Sequence, residues 1–256
     1  MVKALFADKP FNETYRLGAV NSINWARILA QTVYYFLAYF HVRSQIARPD
    51  HAELQFVVPT GNFGDVLAGY YAKRMGLPMG KLVVATNSND ILARFWRSGR
   101  YERVADSASA LVSGDGGDAD DGGVRATWSP AMDILVSSNF ERLLWYLAYE
   151  TSDAASDGER RASAGATVDG WMKSVKSNGR VEVPVEVLEL ARRNFLAERV
   201  SDDQVCTACV YVRPLTLTVF QTLETIKQYY IGTPSYIADP HTAVGLSAAR
   251  IVSTSK

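Results

Sequence analysis

Apolar positions along the chain alternate between strand-like and helix-like stretches. Residues 21–42 are apolar around nearly the whole helical circumference, which is typical of a helix buried inside an α/β protein. Two short β-branched runs, at 54–59 (LQFVVP) and 81–86 (KLVVAT), predict strands. A glycine-containing loop and a helical pattern ending at Gly76 follow the first run, and a helical pattern at 89–96 follows the second. This order predicts a parallel α/β sheet covered by helices.

The pattern divides the chain into three predicted parts. Residues 1–150 form the α/β part, in which 106–123 is a flexible surface insertion dominated by Asp, Gly and Ser. Residues 151–230 form a mostly helical segment, and 231–256 return to the α/β part. The stretch 205–221 interrupts a polar helical pattern and looks foreign, so we hypothesise a retained intron, because its codons can spell splice signals. The alternative is a genuine β-prone insertion.

Composition and charge narrow the class of protein. The chain has 27 Lys and Arg residues against 27 Asp and Glu residues, so a nucleic-acid or anionic-membrane partner has no electrostatic support. Cys206 and Cys209 are too few for a disulfide framework, and the histidines show no metal-ligand spacing, so no metal site is predicted. The chain has no secretory signal and no apolar run long enough to span a bilayer, which predicts a cytoplasmic location.

The loop 60–65 (TGNFGD) is the strongest local candidate for a binding site. It lies between a predicted strand and a predicted helix, at the carboxyl end of the strand, where ligands bind in open α/β sheets. Small residues let backbone N–H groups approach an anion, and the helix N-terminus adds the positive end of a dipole. An ordinary tight turn with Asp65 as the helix N-cap explains the same residues equally well.

Five motifs that occur in a fixed order give the chain a family resemblance. They are VNSINWARILAQ, FVVPTGNFGDVLAGYYAKRMGLP, ATNSNDI, SPAMDILVSSNFERLLWYLA and DPHTAVG. Together they closely resemble the fungal and bacterial-type threonine synthases, from about Val2 to Ala249. Several of the motifs run beyond six residues, so chance similarity does not account for them.

The resemblance implies a parallel-sheet, fold type II enzyme that depends on pyridoxal phosphate (PLP). Such an enzyme converts a small phosphorylated amino acid, O-phosphohomoserine, and water to threonine and phosphate. The resemblance also implies which residues bind the cofactor: its phosphate is held by Gly61, Asn62, Phe63, Gly64 and Asp65, and its pyridine nitrogen by Thr242. A helix N-cap is the alternative role for Thr242, and the two roles are compatible.

The NSINWAR segment is a second candidate, for binding the substrate. Asn21, Asn24 and Arg27 lie three residues apart, so one helix face with Ser22 beside it presents amides and a guanidinium to a phosphate. The alternative is capping by Asn21 or Ser22 and a buried ion pair for Arg27. The residues at 87–90 (NSND) follow a strand, and lining of the same cleft is one interpretation of them. A turn with Asn89 or Asp90 as the cap is the favoured interpretation.

The family resemblance also implies a Schiff-base lysine, which has no counterpart in this sequence. In threonine synthases a lysine in a short Phe-Lys-Asp-type motif forms the Schiff base, and none of the eight lysines has that context: 3, 9, 73, 81, 173, 176, 227 and 256. The sequence therefore predicts a fold that is incomplete at both ends, inactive alone, with uncovered apolar helix faces and a separate N-terminal half as partner. A truncated paralogue in a secondary-metabolite pathway and a non-catalytic interaction protein are the alternatives.

Overall fold

The computed structural model describes residue 5 and residues 8–18, 21–46, 53–103, 123–200, 220–232 and 236–254. The insertion predicted at 106–123 lies outside these residues apart from its last position, and 205–221 lies outside them up to 219. In the described ranges no helix is long and apolar enough to cross a membrane. The same ranges hold no group of three His, Cys, Asp or Glu side chains that could share a metal ion.

Helices alternate with short strands along the chain. The helices are α1 (Lys9–Tyr15), α2 (Trp25–Gln45), α3 (Gly64–Arg74), α4 (Ile91–Ser98), α5 (Phe140–Glu150), α6 (Asp157–Asn178), α7 (Val185–Asn194), α8 (Phe220–Gly232) and α9 (Pro240–Thr254), with a short 3-10 helix at Pro130–Met132. The strands are β1 (Val57–Pro59), β2 (Leu82–Thr86), β3 (Arg100–Glu102), β4 (Arg180–Glu182) and β5 (Phe195–Arg199).

Strands β1, β2 and β5 form a parallel sheet with β2 in the centre. Val57 of β1 pairs with Val83, and Leu82 of β2 pairs with Phe195 of β5. Every residue of β2 is buried, as expected for a strand that is covered on both faces. The predicted parallel α/β fold is confirmed. The segment 151–230, predicted to be mostly helical, also supplies β5 to this sheet, and its β4 pairs with β3 in a small antiparallel sheet.

Phe63, in the loop after β1, lies in an aromatic cluster at the centre of the core. Its ring centroid is 5.4 Å from that of Phe140 in α5, 6.0 Å from that of Trp96 in α4 and 6.1 Å from that of Phe195 in β5. The side chains of Phe63, Phe140 and Phe195 are completely buried. The position of the loop therefore depends on the packing of two helices and a strand that lie far from it in sequence.

Helix α9 packs against the parallel sheet. A methyl group added at Gly245 would lie 3.0 Å from Cδ of Pro59, so α9 approaches the end of β1 closely. Val244 and Ala248 are buried beside Met132 in a second apolar cluster. This packing places the first turn of α9 near the 3-10 helix, which also contacts the loop after β1.

Helix α2 is buried along one face and exposed along the next, which corrects the prediction that it is buried nearly all round. Ile28, Thr32, Tyr35 and Tyr39 are its buried residues, and the helix packs against α3. A neighbouring row of large apolar side chains remains accessible to solvent, with exposed fractions of 65% at Leu37 and 60% at Phe40. We call this row the α2 apolar face: Trp25, Leu29, Val33, Leu37 and Phe40.

Candidate cofactor-binding site

The loop 60–65 continues β1 and leads directly into α3. The backbone N–H of Thr60 donates to the carbonyl oxygen of Ala85 at 2.9 Å, which extends the pairing of β1 with β2 by one residue. Phe63 is the N-cap of α3 and has a left-handed backbone, with φ of 61°, a conformation that bulky residues rarely adopt. The suggested N-cap role of Asp65 is therefore wrong, because the helix begins before it, at Gly64.

The start of α3 offers backbone donors to an anion. Phe63 has no side-chain acceptor to cap the helix, so the amides of the first turn receive no hydrogen bond acceptor from their cap residue. At Gly61 an added Cβ would lie 2.8 Å from Cα of Met132 and 3.1 Å from the carbonyl oxygen of Ala131. Only glycine fits this gap between the loop and the 3-10 helix. The loop thus combines close backbone approach with a helix N-terminus.

Asn139, at the start of α5, ties the loop to the NSIN segment. Its backbone N–H donates to the carbonyl oxygen of Asn62 at 3.1 Å, and its side-chain Nδ2 donates to the same oxygen at 3.0 Å. Nδ2 also donates to the carbonyl oxygen of Ser22 at 2.7 Å. The neighbouring Ser138 hydroxyl donates to Oδ1 of Asn62 at 3.1 Å. Asn139 is completely buried, so one amide holds the loop and Ser22 in a fixed relation.

Burial modifies the acidity of the two polar groups at the base of the loop. The Tyr35 hydroxyl donates to the backbone carbonyl oxygen of Asp65 at 2.8 Å. Burial raises the pKa of the Asp65 carboxyl, and the nearby Tyr35 hydroxyl opposes that rise. Burial, followed by the proximity of Asp65, raises the pKa of Tyr35 well above its usual value, so the phenol keeps its proton.

The DPHT residues at the start of α9 lie close to the same 3-10 helix. The backbone N–H of Ala131 donates to Nε2 of His241 at 3.2 Å, and Nδ1 of His241 lies 3.0 Å from Oδ1 of Asp239. The Thr242 hydroxyl donates to the Asp239 carboxylate. Hydrogen bonds from Thr242 and, less strongly, from His241 lower the pKa of Asp239 to about 2. The alternative N-cap role of Thr242 is wrong, because α9 begins at Pro240 and Asp239 accepts from its first turn.

The four residues proposed for the NSIN segment do not share one helix face in the structure. Asn24 is the N-cap of α2, and its Oδ1 accepts from the N–H of Ala26 at 3.0 Å, so the suggested capping by Asn21 or Ser22 is wrong. Asn21 precedes the helix in a turn and does not share its face. Arg27 is exposed, which excludes the suggested buried ion pair. Ser22 is linked to the loop through Asn139.

Comparison with known proteins decides the family. No protein-family model matches the chain. The chain is 49% identical over 246 residues to the threonine synthase of Schizosaccharomyces pombe and 47% identical over 251 residues to that of Saccharomyces cerevisiae. The crystal structure of threonine synthase from yeast matches all of this chain with a TM-score of 0.75 and 45% identity. This chain belongs to the threonine synthase family.

The match covers nearly all of this chain and less than half of each relative in the threonine synthase family. It covers 96% of the chain and 42% of the S. pombe protein, and 97% and 41% for S. cerevisiae. A structure of PLP-bound threonine synthase from Brucella melitensis matches at a TM-score of 0.71 and 38% identity, over 97% of this chain and 42% of that one. Threonine synthase-like 1 of Homo sapiens is 30% identical over 249 residues, which is 27% of its length.

Several residues around the loop of this threonine synthase family member escaped the sequence prediction. Ser138 and Asn139 hold the loop from α5, and Asp239 and His241 organise the turn that carries Thr242. Asn139 stands at the start of a predicted helix, where an amide is usually taken for a cap. Its use as a bridge between two distant segments is a tertiary property that the pattern of residues does not carry.

Replacing Asn139 with alanine should destabilise the chain by about 1–3 kcal/mol, because two carbonyl oxygens lose the side-chain donor that this buried amide supplies. Urea unfolding followed by circular dichroism measures the change. Asn178→Ala is the matched control, because that side chain is exposed at the end of α6 and its removal should cost less than about 0.5 kcal/mol. Equal losses for the two variants would mean that Asn139 does not hold the loop.

Proposed function

We propose that this chain forms the cofactor-phosphate-binding part of a threonine synthase, which converts O-phosphohomoserine and water to threonine and phosphate with PLP as cofactor. The observation that carries the proposal is the loop 60–65, placed between a parallel strand and an uncapped helix N-terminus. Membership of the threonine synthase family and the PLP-bound Brucella relative support it. A cytoplasmic location and a small phosphorylated amino acid as substrate are parts of the same proposal.

The loop residues suit the phosphate of PLP. Gly61 leaves space where a Cβ would collide with Met132, and Gly64 and Asp65 open α3 with backbone amides that can donate to phosphate oxygens. The carbonyl oxygen of Asn62 accepts a hydrogen bond from Asn139, which fixes the orientation of that peptide unit. The buried Phe63 side chain anchors the loop in the core. In this proposal the loop holds the phosphate through backbone groups and not through a charged side chain.

Thr242 is the proposed partner of the pyridine nitrogen. When bound, the pyridoxal ring serves as the electron sink for elimination of the substrate phosphate and addition of water. A neutral hydroxyl leaves the ring nitrogen less protonated than a carboxylate would. Asp239 keeps its charge at neutral pH and accepts the single proton of the Thr242 hydroxyl, so this hydroxyl must turn from Asp239 before it can donate to an unprotonated ring nitrogen.

The lysine that binds the cofactor covalently is proposed to lie on polypeptide outside these 256 residues. Lys73 lies in the last turn of α3 and donates to the carbonyl oxygen of Gly80 at 3.1 Å. It lies nine positions after Gly64 in the helix, which places it about 14 Å along the axis from the loop. Lys81 precedes β2 and lies at the amino end of the sheet, whereas the loop lies at the carboxyl end.

The α2 apolar face is the proposed docking surface for that polypeptide. A row of large apolar side chains on a helix that is buried on its other side requires a covering element in a stable protein. The threonine synthases that this chain resembles are more than twice as long as the stretch it matches, so they contain the sequence that such an element needs. The occupant is therefore the remaining part of a threonine synthase fold.

PLP titration of Gly61→Ala tests the proposed cofactor site. The wild-type chain should bind PLP, measured by its absorbance, and should bind pyridoxal, which lacks the phosphate, far more weakly. The added Cβ must displace the backbone at Met132, so we expect Gly61→Ala to raise the Kd for PLP by at least about tenfold.

Gly165→Ala is the matched control, because an added Cβ there meets no atom within 4 Å. This variant should bind PLP like the wild type and should be slightly more stable, since alanine favours the helix by about 0.5–1 kcal/mol. Equal affinities for PLP and pyridoxal, or unchanged PLP binding by Gly61→Ala, would rule out the loop as the phosphate site.

A second candidate function is a family member that binds the cofactor or a phosphorylated metabolite without catalysis. The similarity to threonine synthase-like 1 and the lack of the Phe-Lys-Asp-type motif in these residues favour it. A turnover assay on a mixture of the chain, PLP and the remaining part of a threonine synthase separates the two candidates. Threonine formation by the mixture supports the enzyme, whereas PLP binding without turnover supports the second candidate.

A further inference from the structure

The 3-10 helix Pro130–Met132 contacts both motifs that the proposed function assigns to the cofactor. On one side, a Cβ added at Gly61 would lie 2.8 Å from Cα of Met132 and 3.1 Å from the carbonyl oxygen of Ala131. On the other side, the backbone N–H of Ala131 donates to Nε2 of His241 at 3.2 Å, in the first turn of α9. Because the 3-10 helix touches both, its position sets the distance between the loop after β1 and the start of α9.

A buried amide at the end of β2 holds the segment that carries the 3-10 helix. Asn87 follows β2 directly and is 1% exposed. Its Nδ2 atom donates to Oγ1 of Thr127 at 2.8 Å, to Oγ of Ser129 at 2.9 Å and to Oδ1 of Asp133 at 2.8 Å. An amide nitrogen carries two protons, so these acceptors share them and its capacity to donate is fully used. The acceptors lie before and after the 3-10 helix in sequence, so one side chain holds both of its ends.

The carboxylate of Asp133 closes the same segment on itself. Its Oδ2 accepts from the backbone N–H of Thr127 at 2.8 Å, and its Oδ1 accepts from the Thr127 hydroxyl at 2.7 Å and from Nδ2 of Asn89 at 2.9 Å. With Nδ2 of Asn87, four donors converge on this carboxylate. An ionised carboxylate only accepts hydrogen bonds, so a full set of donors suits it. Thr127 and Asp133 are thereby held together with the 3-10 helix between them.

The end of β2 also holds the loop after β1, through a separate contact. The backbone N–H of Thr60 donates to the carbonyl oxygen of Ala85 at 2.9 Å, two residues before Asn87. The side-chain hydrogen bonds described for Asn87 and Asp133 go to residues 89 and 127–133 and not to this loop. The loop and the 3-10 helix are therefore fixed to one buried strand independently, and the two side chains control the position of the 3-10 helix alone.

We propose that Asn87 and Asp133 are positioning residues for cofactor binding. They hold the 3-10 helix so that one PLP molecule can reach the loop after β1 with its phosphate and Thr242 with its ring nitrogen. This inference rests on the proposed function. A ligand that binds through two ends gains the combined affinity only when the two subsites match its own length. A shift of the 3-10 helix would therefore weaken PLP binding and leave the binding of a phosphate alone nearly unchanged.

Asp133→Asn tests the proposal in the full chain, because the amide keeps the shape of the side chain but places N–H protons where four donors converge. The Kd for PLP, measured by absorbance, should rise by about tenfold, whereas the Kd for inorganic phosphate, measured by calorimetry, should change by less than about twofold. Thr127→Val removes the hydroxyl but keeps the backbone N–H, so it should weaken PLP binding in the same direction. Circular dichroism verifies the fold of each variant, and Thr127→Val carries the test if Asp133→Asn does not fold.

Asp153→Asn is the matched control, because it removes the same charge from an exposed position between α5 and α6 and should leave both affinities unchanged. Hydrogen exchange at the backbone amide of Ala131 reports on the 3-10 helix directly and should be faster in Asp133→Asn but not in Asp153→Asn. Unchanged exchange, unchanged PLP affinity, or equal weakening of PLP and inorganic phosphate overturns the positioning role alone. Failure of the wild-type chain to bind PLP contradicts the proposed function as well, so the two failures are distinguishable.

Discussion

Replacing Phe63 with alanine should lower the free energy of unfolding by about 3–5 kcal/mol, the range for removing a fully buried aromatic side chain. Phe63 contacts the rings of Trp96, Phe140 and Phe195, so its loss leaves a cavity bounded by two helices and a strand. These neighbours belong to rigid elements and cannot close the space fully. Denaturant unfolding followed by tryptophan fluorescence and circular dichroism measures the change.

The same variant should lose PLP binding, because the ring is what holds the left-handed residue before α3. Phe40→Ala is the matched control, since that ring is 60% exposed and its removal should change stability by less than about 0.5 kcal/mol. A smaller loss for Phe63→Ala than for Asn139→Ala would show that the loop is held mainly by hydrogen bonds and not by the aromatic cluster.

Introducing two carboxylates on the α2 apolar face should abolish assembly with the rest of a threonine synthase. Val33 and Leu37 are exposed in this chain, so Val33→Glu with Leu37→Glu leaves the described core unchanged. In an assembled protein both charges would be buried without partners. We expect the affinity for a polypeptide carrying the remaining S. cerevisiae sequence to fall by at least about 100-fold.

Co-purification and gel filtration measure this assembly, and threonine formation reports whether the mixture is active. The pair Lys173→Glu with Lys176→Glu, on the exposed surface of α6, is the matched control and should assemble like the wild type. If the double α2 variant assembles normally, another surface carries the contact. If the wild-type chain forms a dimer that the α2 variant does not, a second copy is the occupant of the face.

The sequence predicted the first two strands and the loop between them because each has a strong local signal. The runs VVP and LVVAT are β-branched, and the loop 60–65 has glycines at both ends of its turn. Strand β5 was missed because FLAER lies in a charged, helix-prone stretch. It becomes a strand by pairing with β2, whose residues lie more than a hundred positions earlier, so its conformation is decided by a partner and not by its own sequence.

Three of the predicted helix caps failed for a related reason. Asp65, Thr242 and Asn21 are all good capping residues, but each lies two or three positions from the residue that directly precedes its helix. The start of α3 is set by the buried ring of Phe63, which draws a residue without capping ability into the N-cap position. Core packing outweighs a cap whose contribution is about 1 kcal/mol.

Only one side of α2 was correctly predicted. The apolar pattern of residues 21–42 does indicate a helix with burial on several faces, and the row from Ile28 to Tyr39 is buried as expected. The apolar pattern indicates how much of the helix surface must be covered, but it does not indicate which element covers it. The α2 apolar face is therefore visible only when the helix is placed beside α3.

Because Asn139 bonds to residues that are distant in sequence, the candidate site forms late in folding, after separate parts of the chain have come together. Its side-chain amide joins residues that lie 77 and 117 positions away along the chain. Loops of that length are slow to close, and contacts across them form only after the intervening elements have collapsed. A short peptide that carries β1, the loop and α3 therefore contains the glycines of the loop, but without Asn139 it cannot keep the loop in this conformation. On a ribosome, the pocket for an anion would take form only once α5 had emerged.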